Sequence, residues 1–178
     1  RRLKIACASC GQKMDLSELE PFSMIDCPLC ASEIIVPRSF GPLMLEERIG
    51  RGPMAEVYRA LDRTLDREVA VKILDPERVR VSSMGEDFLA AARRSALLTH
   101  PSVIPIFSCG TEEGKPFVVM QFMSGGSLGD LLKVAGVLPN TDALVRHLIA
   151  AAKGLETAFS RGVVHRDLKP SNMLLDAD

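Results

Sequence analysis

From residue 43 onward, the pattern of apolar and polar positions first reads as short strands and later recurs at helical spacing. LMLEERIG (43–50), VYRA (57–60) and REVAVKIL (67–74) read as strands, the last with near period-two alternation, and LDRTLD (61–66) as the turn before it. EDFLAAARRSALLTH (86–100) is helical in composition, and PSVIPIFSCGTEEGKPFVVMQFM (101–123) predicts two more strands around the turn TEEGK. SLGDLLKVAG (127–136) predicts a short helix opened by Ser127. NTDALVRHLIAAAKGLETAFSRG (140–162) predicts a long amphipathic helix, capped by Asn140 or Thr141 and stopped by Gly162. No internal repeat and no low-complexity tract is expected. Strands followed by helices give an α+β class.

The first 36 residues are patterned differently, as short strand-like runs around four cysteines. Cys7 and Cys10 form one C-x2-C pair, Cys27 and Cys30 a second, with sixteen residues between them. Tetrahedral zinc needs four soft ligands at about 2.3 Å, and each such turn presents two thiolates. Gly11 permits one knuckle to turn tightly, and Ala31 stands at the equivalent place in the other. Two disulfides or unrelated buried thiols are the alternative. Residues 1–36 resemble a zinc ribbon, too small for a core of its own, so the metal would supply most of its folding free energy. PRSFGP, with Pro37 first, gives a link over 37–42. Cys109, alone in an apolar stretch, is expected in a core.

Composition narrows the function classes only a little. With 178 residues, 47% of them hydrophobic, the chain can bury a sizeable core, and 22 basic against 23 acidic residues give no general attraction to nucleic acid or anionic membranes. Within the ribbon four basic residues face five acidic ones, so nucleic acid is not the expected partner there either. No run of about 18 apolar residues suggests a membrane span, and RRLKIACASCGQKM lacks the apolar region of a signal peptide. A cytoplasmic piece of a longer product is expected, with a membrane anchor further along left open.

Three motifs carry candidate chemistry. IGRGPMAEVYRA (49–60) sets Gly50 and Gly52 between two strands, a turn whose backbone N–H groups can approach phosphate oxygens. VAVKIL (69–74) puts Ala70 and Lys72 on one strand face. VVHRDLKPSN (163–172) reads H-R-D-L-K-P-x-N. Together, in this order, they resemble the protein kinases, in particular the bacterial serine/threonine kinases. The resemblance runs from about Phe40 to the end and covers roughly half a kinase domain: an N-lobe of antiparallel sheet and one helix over 43–123, and the first C-lobe helices over 124–178.

The resemblance implies ATP-dependent phosphorylation of serine or threonine hydroxyls on a protein substrate. Ile49, Gly50, Arg51, Gly52 and Val57 would form the loop covering ATP, and Lys72 would hold its phosphates. Met120 would be the gatekeeper, and Gln121 to Met123 the hinge for adenine, with Val57, Ala70 and Leu174 closing on the ring. Asp167 would be the catalytic base, Lys169 would steady the γ-phosphate, and Asn172 would ligate magnesium. Arg166 corresponds to the arginine that docks a phosphorylated activation loop.

Departures from the family pattern are also legible. The metal-binding D-F-G is not reached in NMLLDAD, so this stretch by itself is expected to be inactive. The glutamate that should pair with Lys72 falls on Ala91; Glu86 lies five residues earlier, about 7.5 Å along a helix and about 140° around it. Ala55 replaces the last loop glycine, and Pro53 removes a backbone donor. These departures support a second reading: a kinase-like protein that binds nucleotide or partners as a scaffold without phosphotransfer.

Overall fold

The computed structural model describes residues 3–75, 83–135 and 141–176. The chain divides into two compact units, one of residues 1–82 with 111–117, the other of 83–110 with 118–178. No described helix is long and apolar enough to cross a membrane.

The first unit opens with two small antiparallel hairpins, β1 (Lys4–Ala6) with β2 (Lys13–Asp15) and β3 (Met24–Asp26) with β4 (Glu33–Ile35). The two hairpins are copies offset by twenty residues, a repeat the sequence was not expected to contain. Cys7 N–H donates to Gln12 O in one half and Cys27 N–H to Ser32 O in the other, while Leu16 N–H to Leu3 O is matched by Val36 N–H to Ser23 O. Both knuckles close with left-handed backbone, at Gly11 and Ala31. Each three-residue strand tucks in only its middle side chain, Ile5, Met14, Ile25 or Ile34, so Cys7, Leu16, Cys27 and Val36 make up what is buried.

A six-stranded sheet follows, in the order β5-β6-β7-β8-β10-β9. Its strands are β5 (Arg38–Phe40), β6 (Leu43–Arg51), β7 (Ala55–Asp62), β8 (Arg67–Leu74), β9 (Ile106–Glu112) and β10 (Lys115–Gln121). The stretch 37–42, expected as a link, contains β5, because Phe40 is 1% exposed and meets Phe117 edge-on at 5.4 Å. The turn before β8 is an Asx turn, with Asp62 Oδ1 accepting from Thr64 and Leu65 N–H. The β9–β10 turn places Glu113 and Gly114 both at positive φ, the two-residue form that matches strand twist.

On β7 and β8 the register pairs Val57 with Lys72, Tyr58 with Val71 and Ala60 with Val69. Val57, Lys72 and Ala70 therefore lie on one face, and Tyr58, Ala60, Val69, Val71 and Ile73 on the other. That second face is buried, with Ala60, Val69 and Val71 at 0% exposure. Phe22, in the segment joining the two hairpins, stacks on Tyr58 with ring centres 5.3 Å apart and planes at 22°.

The second unit contains helices α1 (Met84–Ser95), α2 (Leu128–Ala135) and α3 (Thr141–Ser160). Helix α1 ends at Ser95 rather than running on to His100: beyond it the chain tightens into i→i+3 turns, Leu97 N–H to Arg94 O and Leu98 N–H to Ser95 O. Ser127 caps α2 reciprocally with Asp130: its Oγ accepts from Asp130 N–H, and its own N–H donates to the Asp130 carboxylate. Helix α3 begins at Thr141, Asn140 lying outside the described residues, and stops in a Schellman turn at Gly162, φ +73°, where Val163 N–H reaches Ala158 O and Gly162 N–H reaches Phe159 O.

Tyr58 is the sole tyrosine of the sequence, so tyrosinate absorbance reports on it alone. Burial first, and then the Glu56 carboxylate, pushes its hydroxyl up to about 12. With the folded value above the unfolded one of about 10, this contribution to stability is complete below about pH 10 and is lost as pH rises toward 12. We expect a native titration midpoint near 12 that falls toward about 10 in Phe22→Ala; equal midpoints in the two proteins would mean that Phe22 does not shield the ring.

Candidate functional site

Each compact unit carries its own set of candidate residues. In the first, the β6–β7 hairpin forms the glycine loop. Gly50 pairs with Val57 and Arg51 with Glu56, and the turn closes through Gly52 N–H to Ala55 O at 2.8 Å. The register of β6 shifts between Arg48 and Gly50, so Ile49 sits in a bulge and is exposed. A Cβ on Gly50 would lie 3.5 Å from Val57 Cβ, an ordinary van der Waals contact. Val57, Ala70 and Lys72 share one face of β7 and β8, Ala70 buried and Lys72 exposed. Among the described residues no carboxylate lies within ion-pair distance of Lys72.

In the second unit, Met120 and Gln121 end β10, and Gln121 N–H donates to Pro105 O at 3.0 Å. The chain then passes Met123 and meets the segment following the H-R-D run. Gly125 N–H donates to Leu175 O, Leu175 N–H to Gly126 O and Leu128 N–H to Met173 O, with Ser127 and Leu174 bridged antiparallel. A Cβ on Gly129 of α2 would lie 3.1 Å from Ser171 N, so the glycine lets a 3-10 turn over Pro170–Asn172 pack close. Leu174 stays 41% exposed.

The catalytic-type cluster hangs from this stitching. Lys169 Nζ lies 2.9 Å from Asp167 Oδ2, and Asn172 Nδ2 donates to Asp167 Oδ2 at 2.9 Å and to its carbonyl at 2.7 Å. Arg166 takes a left-handed backbone, φ +63°, and Asp167 N–H donates to His165 Nδ1. Lys169 foremost, then Asn172, holds the Asp167 carboxyl below its usual range, so it is charged at neutral pH. Ala91 is exposed on α1, and Glu86 is exposed in its first turn.

The four N-terminal cysteines converge, their Sγ atoms all within 4.8 Å of one another. Cys7 Sγ is 3.8 Å from Cys30 Sγ, and Cys10 Sγ 3.6 Å from Cys27 Sγ. A tetrahedron with arms of about 2.3 Å has edges of about 3.8 Å, whereas a disulfide needs about 2.05 Å. All five cysteines are free, and the cluster has the donor set and spacing to hold a metal ion. Ser32 was not foreseen: its Oγ lies 3.3 Å from Cys7 Sγ and 3.1 Å from Cys30 Sγ. That hydroxyl is the foremost cause lowering both thiols, Cys7 to about 6. Cys10 is pushed up to about 12: the Gln12 N–H lowers it, but burial and the three neighbouring thiols outweigh that. Four crowded sulfurs resist sharing negative charge, which a cation would relieve.

A family model described as "Protein kinase domain" matches residues 43–178. The chain is 37% identical over 127 residues to a probable serine/threonine-protein kinase, CPE1738, of Clostridium perfringens, covering 71% of the chain and 18% of that protein. It is 38% identical over 144 residues to the serine/threonine-protein kinase PknD of Mycobacterium tuberculosis, covering 80% of the chain and 21% of that protein. The DNA damage-responsive serine/threonine-protein kinase RqkA of Deinococcus radiodurans is 42% identical over 137 residues, covering 72% of the chain and 19% of RqkA. The chain thus spans about a fifth of the length of these relatives. The crystal structure of the Mycobacterium tuberculosis PknI kinase domain matches with a TM-score of 0.69 at 22% identity, covering 79% of this chain and 57% of that one, a likeness of fold.

The hydrogen-bonded stitching gives a direct test. A Cβ on Gly125 would lie 2.6 Å from Leu175 O and 2.7 Å from Asp176 O. Gly125→Ala is therefore expected to destabilise the fold by about 1–3 kcal/mol in denaturant unfolding; an unchanged midpoint would show that residues 173–176 do not pack there.

Proposed function

Since the chain belongs to the protein kinase family over residues 43–178, we propose that it is the nucleotide-binding and catalytic-loop portion of a serine/threonine protein kinase. The observation that carries the reading is the Asp167–Lys169–Asn172 cluster, held in one geometry by the bonds of Asn172 and by the ion pair. In this reading Asp167 accepts the proton of the substrate hydroxyl, and its lowered pKa keeps it charged for that task. Lys169, beside it, offers the ammonium that steadies the transferred phosphate. Asn172 would hold Mg2+, an ion that neutralises developing phosphate charge. Its amide nitrogen faces Asp167, which leaves the amide oxygen as the ligand atom.

Ile49, Gly50, Arg51, Gly52, Val57 and Ala70 would cover ATP, with Lys72 on its phosphates, and Met120, Gln121, Met123 and Leu174 would receive the adenine. The DLKP run supports serine or threonine in a protein as the acceptor. Such a site works by positioning and electrostatics, since phosphoryl transfer asks little covalent chemistry of the protein. Free cysteines fit a reducing, cytoplasmic setting. The near-neutral ribbon leaves nucleic acid outside this reading.

Ala91 favours a second reading. No carboxylate stands where the partner of Lys72 belongs, and each 1.4 kcal/mol lost from the transition state is about a tenfold loss in rate. A nucleotide-binding scaffold without phosphotransfer would fit that departure. In the complete gene product, Lys72→Met and Asp167→Asn are expected to lower phosphotransfer by at least about 100-fold. Unchanged activity would exclude the kinase reading; nucleotide binding with no phosphotransfer in the wild type would establish the scaffold.

For the ribbon we propose Zn2+ on Cys7, Cys10, Cys27 and Cys30, with Ser32 orienting two of the sulfurs. The ion would supply the folding free energy that the two small hairpins lack. Elemental analysis should give one zinc per chain, lost in Cys27→Ser; a metal-free native protein would contradict the site.

A further inference from the structure

The side of β7 turned away from Val57 carries Glu56 and Tyr58, and these two residues connect the ribbon to the glycine loop. Phe22 of the ribbon stacks on Tyr58. The Tyr58 hydroxyl donates to Glu56 Oε2. Glu56 Oε1 in turn accepts from Arg48 Nη1 at 3.4 Å and lies 3.5 Å from Arg51 Nε. Arg51 stands between Gly50 and Gly52 and is the cross-strand partner of Glu56. Phe22 is itself fixed: its backbone is left-handed, φ +66°, and its N–H donates at 2.7 Å to the carbonyl of Val36, a fully buried residue. All of these residues lie in one compact unit.

We propose that Glu56 is a positioning residue for the nucleotide loop, and that the folded, metal-bearing ribbon sets its place through Phe22 and Tyr58. The inference rests on the reading of residues 43–178 as a nucleotide-binding kinase region. Glu56 is one-fifth exposed on its side chain while Arg51 is more than half exposed, so the carboxylate is the fixed element and the arginine the one it restrains. A restrained Arg51 holds the backbone of the loop that meets the phosphates, which reduces the ordering that nucleotide binding must otherwise impose. Exposed ion pairs are individually modest, so the expected effect is a several-fold change in affinity rather than its loss.

The test uses the complete gene product and a fluorescent N-methylanthraniloyl ATP with Mg2+ as the probe. Glu56→Gln is expected to weaken binding about three- to tenfold with an unchanged unfolding midpoint. In turnover the loss should appear in KM for ATP and not in kcat. Phe22→Ala should weaken binding in the same direction, and the double variant should be no weaker than the worse single one, because both act along one path. Additive losses, or equal affinity in the wild type and both single variants, would overturn the coupling while leaving nucleotide binding in place. A wild type that does not bind the probe would overturn the nucleotide reading, and this inference with it.

Discussion

The pairing register of β7 against β8 is the constraint on which the first unit depends. Because side chains alternate along a strand, pairing Val57 with Lys72 and Tyr58 with Val71 assigns every neighbour to a face. A slip of one residue would turn Lys72 into the buried side and expose Val71, which is wholly buried. Two kinds of burial hold the register in place. One side takes Ala60, Val69, Val71 and Ile73 out of water; the other keeps a lysine beside Ala70 and Val57. The glycine hairpin, the ribbon contact and the lysine are thus consequences of one alignment.

The second unit reaches comparable fixity by a different route. Its candidate catalytic loop has few buried apolar side chains and is held instead by backbone bonds between residues 125–128 and 173–175. Gly125 matters here because the opposing backbone comes too close for a Cβ, and at Gly129 a Cβ would fit only tightly. Ser127 and Asp130 tie the start of α2 to the same place. Asp167, Lys169 and Asn172 can therefore be exposed and still share a defined geometry, since the scaffold beneath them is fixed and they are not required to fill it.

Much of this was legible in the sequence. The strand-like runs marked β6, β7 and β8, the last by its near period-two alternation; Ser127 and Gly162 marked helix ends; the C-x2-C pairs marked a cluster that does converge. What escaped reading has physical causes. The twenty-residue repeat of the ribbon was hidden because only the cysteines and Ile5 with Ile25 recur identically, while Lys13 corresponds to Glu33 and Asp15 to Ile35. Turn geometry tolerates such exchanges because those side chains point to solvent. Phe22 gave no periodic signal, since its contact with Tyr58 comes from a single residue of left-handed backbone in a loop. Ser32 and Glu56 were missed for a similar reason: each acts on a neighbour through a hydrogen bond that no spacing rule encodes. Helix α1 is shorter than its composition suggests, because composition does not register the change to i→i+3 turns after Ser95.

In the proposed reading Lys72, on the face that β7 and β8 share, meets the phosphates of ATP. An acyl-phosphate derivative of ATP transfers its acyl group to whichever lysine amine lies against the phosphates, and peptide mass spectrometry of the complete gene product identifies the position. The account predicts acylation of Lys72, accompanied by Lys169, and suppression of both by excess ATP. Acylation confined to Lys115 or Lys133, or acylation of Lys72 that ATP does not suppress, would contradict it.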